Sequence, residues 1–136
     1  MKGAATHSKT HTLVEIQDLR THFETGRGLI PAVDGVSLTI PQGKTVALVG
    51  ESGCGKSITA LSVLRLIPRP PGRIVGGRIV FNDPLRQSSV SPATGGGTDP
   101  IDLLRITDQA MRRIRGNRIA MIFQEPMTAL NPVYSI

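Results

Sequence analysis

The chain has 136 residues with 39% apolar side chains, the size of one ordinary domain and too short for two. Its longest apolar runs, Thr45–Gly50 and Ile119–Phe123, fall far below the ~18 residues of a membrane span, which excludes a membrane helix. Sixteen basic against ten acidic residues give a net charge of +6, which favours a polyanionic partner, and the single Cys54 excludes an internal disulfide.

Residues 1–12 are polar and read as a disordered tail. Leu13–Leu19 alternates like a strand, and Val33–Ile40 repeats the pattern with Val36, Leu38 and Ile40 on one face. Gly26–Pro31 is expected to connect the two. Thr45–Gly50 is apolar on both faces, as a strand buried inside a parallel sheet would be. A glycine-rich stretch follows, and then Lys56–Ile67, whose apolar residues recur at helical spacing until Pro68. Arg73–Asn82 predicts a short strand with Ile79 and Phe81 on one face, and residues 83–100 a flexible insertion. Thr107 is the expected N-cap of a further helix, with Gly116 just past its end. Arg118–Phe123 reads as a second buried strand, with Gln124 at its carboxyl end, where open α/β sheets place ligand groups.

One motif carries chemistry. Gly50-Glu51-Ser52-Gly53-Cys54-Gly55-Lys56-Ser57 matches G-x-x-x-x-G-K-[ST], a phosphate-binding loop. Its glycines let the backbone bend until consecutive N–H groups face phosphate oxygens, and the following helix adds its positive end. Lys56 is placed to reach the β- and γ-phosphates, and the Ser57 hydroxyl to coordinate Mg²⁺. A chain of this composition meets the pattern by chance in roughly 0.7% of cases, before the flanking strand and helix are required.

The loop alone does not choose among transport ATPases, GTPases, kinases and repair ATPases. GESGCGKS followed by AMIFQEPMTALNPVYSI, however, resembles the ATP-binding subunits of ABC transporters, within the importer group for dipeptides, oligopeptides and glutathione. The likeness runs from about Leu13 to the end of the chain. It implies an α/β fold, the N-terminal part of a P-loop ATPase domain over 13–136, in which an antiparallel β portion leads into a parallel-sheet core. It implies ATP and Mg²⁺ held by Gly50, Glu51, Ser52, Gly53, Cys54, Gly55, Lys56, Ser57 and Ile58, with Ser57 and Gln124 on the metal. Lys56 and Gln124 are the expected catalytic positions, and Phe23 the aromatic residue that stacks on adenine. The implied partners are transmembrane permease subunits, a second ATP-binding subunit and, indirectly, a solute-binding protein; the implied place is the cytoplasmic face of the membrane.

Cys54 stands where the group usually has serine, but the loop needs only its backbone N–H. The group's LSGGQ-type signature, its Walker B carboxylates and its switch histidine would lie beyond Ile136, so the chain by itself is expected to bind ATP without turning it over. Two other classes compete with this reading. One is another P-loop enzyme, a small-molecule kinase or a GTPase; a GTPase would show an N/T-K-x-D guanine motif, which does not occur here. A basic nucleic-acid module would need stacking residues, and only one Tyr and three Phe are available.

Overall fold

The computed structural model describes residues 11–85 and 100–123. Strand β1 (Thr12–Thr25) and strand β2 (Gly28–Pro41) form a long antiparallel hairpin closed by Gly26 and Arg27. The expected connection over Gly26–Pro31 is therefore mostly strand. Leu29 and Ile30 are each 51% exposed, so their apolarity marks no buried face and the two-residue turn goes unsignalled. Strand β3 (Gly72–Phe81) pairs antiparallel with the other side of β1, and the short β4 (Ile101–Asp102) pairs with β3, giving the order β2-β1-β3-β4.

The alternation along β1 changes phase in mid-strand. Val14 and Ile16 are buried, and so are Leu19 and Thr21, because the pairing slips by a residue at Asp18. Asp18 takes φ 46°, and its N–H donates to the Ser37 hydroxyl at 2.9 Å. Across the bulge Gly77 has φ 95°, and a Cβ there would lie 2.6 Å from the Asp18 carbonyl oxygen, so only glycine lets β3 close on β1. Arg20 bridges Asp18 and Asp34 at 3.0 and 2.7 Å. The hydrogen bond to Asp18, then the charges of Asp18 and Asp34, hold its guanidinium above its ordinary pKa.

One face of the sheet carries the core. Val14, Ile16, Leu19, Ile79 and Phe81 cluster with Leu64, Leu103, Met111 and Ile114, and Val36, Leu38 and Ile40 pack against them from β2. Helix α1 (Lys56–Val63) ends four residues before the expected Ile67, because the chain turns left-handed at Arg65. The buried residues of α1 itself are Thr59 and Ser62. Each satisfies its hydroxyl on a carbonyl one turn back, Gly55 and Ile58, and Thr21 meets the Ser62 oxygen at 2.9 Å. Since the Ser62 proton is committed to Ile58, the Thr21 hydroxyl donates to Ser62, which ties α1 to β1. Helix α2 (Asp108–Ile114) begins at Thr107, whose hydroxyl accepts from the Ala110 N–H, and ends before Gly116 at φ 75°.

Two strand expectations fail. Thr45–Gly50 is not paired as a strand, and Val46, Leu48 and Val49 are 45%, 48% and 88% exposed. Arg118–Phe123 makes only the local bridge between Arg115 and Ile119, with Ile122 91% exposed. A segment apolar on both faces is buried as a strand only with strands beside it and layers above and below, and among the described residues neither segment has such neighbours. The sheet seen is antiparallel, and no parallel core is formed among the described residues. Most of the expected insertion, residues 86–99, lies outside the described residues, as do Gln124 and the tail residues 1–10.

Candidate phosphate-binding site

The glycine-rich loop runs from the extended segment 45–50 into the first turn of α1. Two of its glycines hold conformations that side chains disfavour, Gly53 at φ 83° and Gly55 at φ 91°. Gly55 is also the seat of the loop: a Cβ there would come 2.4 Å from the Ala32 carbonyl oxygen, so the loop's backbone rests directly on β2. Gly50 faces the thiol in the same way, with a Cβ at that position 2.6 Å from Cys54 Sγ. The Cys54 N–H donates to the Glu51 carbonyl at 3.3 Å and closes a turn.

Gly55 is the N-cap of α1 and brings no side chain to cap it. The first amide to bond within the helix is that of Thr59, to Gly55 O at 2.8 Å. Ahead of it, the amides of Lys56, Ser57 and Ile58 have no acceptor inside the helix. That leaves a row of donors and the positive end of the helix dipole facing the loop, an arrangement suited to an anion. The Lys56 ammonium folds back over the loop, donating to the carbonyls of Gly50 at 2.7 Å and Glu51, with Cys54 Sγ at 3.4 Å. One positive charge thus stands beside the uncapped helix end and within reach of any anion bound there. Ser57 is exposed beside it, and its hydroxyl is free of the core.

The other expected site residues stand differently. Ile58 turns its side chain toward the core, so only its amide can serve a ligand. Phe23 sits near the turn end of β1, paired with Ile30 and Gly72, and its ring lies against Gly72. Gln124 is outside the described residues. Among the described residues no group of three His, Cys, Asp or Glu side chains is placed to hold a metal ion. Sequence reasoning missed the contact of Gly55 with Ala32, which runs through a carbonyl and leaves no residue pattern.

The sequence pattern of the family described as "ABC transporter" matches residues 33–136, most of the chain and all of the loop. The chain belongs to the ABC transporter family. The "Probable peptide ABC transporter ATP-binding protein" of Sinorhizobium fredii is 41% identical over 94% of this chain and 33% of its own length. A Brucella abortus protein named "Putative peptide import ATP-binding protein" is 48% identical over 91% of this chain and 33% of its own. The oligopeptide transport ATP-binding protein AppD of Bacillus subtilis is 46% identical over 92% of this chain and 33% of its own. This ABC chain therefore spans about a third of the length of the relatives it matches. Among its described residues no helix is long and apolar enough to cross a membrane.

Proposed function

We propose that this chain supplies the ATP-binding loop of an ABC ATPase that energises peptide import. The observation that carries the reading is the uncapped start of α1, whose free amides and nearby Lys56 make a site for a triphosphate. In this reading the amides of Gly53 to Ile58 bind the phosphates and Ser57 holds Mg²⁺, which when bound neutralises phosphate charge and polarises the transferring group. Lys56 exchanges its bonds to Gly50 and Glu51 for phosphate oxygens, and the lost carbonyl contacts are replaced by stronger charge-assisted ones. Such preorganised donors are the main means by which proteins accelerate phosphoryl transfer. Gln124 would position the attacking water, and Phe23 would stack on adenine.

The names of the relatives support a peptide as the transported solute. Hydrolysis, pairing with a second ATP-binding subunit, attachment to transmembrane permease subunits and cooperation with a solute-binding protein belong to the same proposal. So does a peripheral position on the cytoplasmic face of the membrane. The exposed Val46, Leu48, Val49 and Ile122 fit a longer protein in which further strands cover them.

Equilibrium dialysis of the protein against labelled ATP with Mg²⁺ tests the reading. Saturable binding that unlabelled ATP displaces and single-stranded nucleic acid does not is the expected outcome. Displacement by nucleic acid but not by ATP would overturn it in favour of a basic nucleic-acid module.

A further inference from the structure

We infer that Arg65 and Arg115 are positioning residues that lock the helix behind the phosphate loop to the segment leading into Gln124. Helix α1 ends with the Arg65 N–H on Ser62 O at 3.0 Å and the Leu66 N–H on Leu61 O at 2.8 Å, the bond pair of a Schellman turn. That turn needs a left-handed residue after the cap, a place glycine usually holds, yet here it is Arg65 at φ 52°. Retention of a side chain in a conformation that disfavours it points to what the side chain does. Its side chain is 15% exposed, and the guanidinium donates to Ile106 O at 2.8 Å and to Asp108 Oδ1 at 2.6 Å, both at the start of α2.

Arg115 reaches back from the other end of α2. Its Nε donates to Leu64 O at 2.7 Å and its Nη2 to Arg65 O at 3.0 Å, carbonyls of the kind a helix end leaves without partners. Each arginine thus grips the element that carries the other. Directly after Arg115 the chain makes a tight turn, with the amides of Arg118 and Ile119 both on Ile114 O at 2.8 and 3.1 Å. Arg118 then pairs with the buried Asp83 at 3.2 Å, at the end of β3. From the phosphate loop through α1, the two guanidinium groups and α2 to Arg118, every joint is a short hydrogen bond or ion pair. A shift of α1 on phosphate binding is therefore passed to residues 118–123 and not absorbed at the helix end.

This inference rests on the nucleotide reading, and the test separates the two. Amide hydrogen exchange is followed in the whole protein with and without MgATP, for wild type, Arg65→Gly and Arg115→Lys, with ATP affinity and melting temperature measured for each. Arg65→Gly removes the grip while relieving the left-handed strain, so its melting temperature is expected to hold or rise. Arg115→Lys keeps the charge but replaces a fork serving two carbonyls with a point donor. In wild type, MgATP should slow exchange over 118–123 by at least about fivefold, the lower end of ordinary coupling between sites. In both variants that protection should vanish while ATP affinity stays within about threefold, since neither side chain touches the loop. Protection retained in both variants would overturn the inference. So would a joint loss of affinity and melting temperature, which would make the pair scaffold only. Wild-type protein that binds no ATP would refute the nucleotide reading itself, and ATP binding without any protection over 118–123 would refute the coupling alone.

Discussion

Gly55→Ala is expected to reduce ATP affinity by more than ~100-fold, because two independent penalties fall on one methyl group. The backbone at Gly55 holds φ 91°, where a residue with a Cβ is strained by about 1–3 kcal/mol. The same Cβ would sit 2.4 Å from the Ala32 carbonyl oxygen in β2, so one of the two backbones has to move. Where the loop moves, it lifts off β2 and carries the amides of Lys56, Ser57 and Ile58 out of line. Gly26→Ala is the matched control, since a Cβ there meets nothing within 4 Å and its φ is ordinary. Calorimetric titration with MgATP checks both; a Gly55→Ala affinity within about fivefold of the control would contradict the seat assigned to this glycine.

The second large effect concerns stability. Met111 is fully buried at 0% exposure and joins α2 to the cluster built on Leu19, Ile79 and Leu103. Met111→Ala should lower the unfolding free energy by about 2–5 kcal/mol, from lost transfer energy plus the cavity left behind. Leu66, 39% exposed, should tolerate the same truncation at a cost of about 1 kcal/mol or less. Urea unfolding of the two variants side by side measures the difference. Equal midpoints would mean that α2 does not seal the core as described.

What could be read from the residues alone divides along physical lines. The glycine-rich loop is legible because its pattern fixes residue types at fixed spacing, and Gly53 and Gly55 stand where the backbone takes a positive φ. Strand β2 is legible through Val36, Leu38 and Ile40, whose alternation survives because the extra residue of the bulge opposite them lies in β1 and not in β2. Strand β1 is legible only over Leu13–Leu19, since the bulge at Asp18 moves the buried set from Val14 and Ile16 to Leu19 and Thr21. The bonds of Arg65 and Arg115 to carbonyls left no trace, because a main-chain acceptor is present at every residue. Thr45–Gly50 and Arg118–Phe123 misled for another reason. Their apolarity states what would cover them, but strand formation depends on partners distant in sequence.

In the proposed function, Lys56 and the open end of α1 hold a nucleoside triphosphate. MgATP titration of wild type against Lys56→Ala, with thermal unfolding of each in parallel, addresses it most directly. Wild type should bind, and the variant should lose about 1.5–3 kcal/mol of affinity, the scale of charge-assisted hydrogen bonds to phosphate. The melting temperatures of the ligand-free proteins should agree closely, because the bonds of Lys56 to Gly50 and Glu51 are solvent-exposed. Equal ATP affinity in the two proteins would contradict the account.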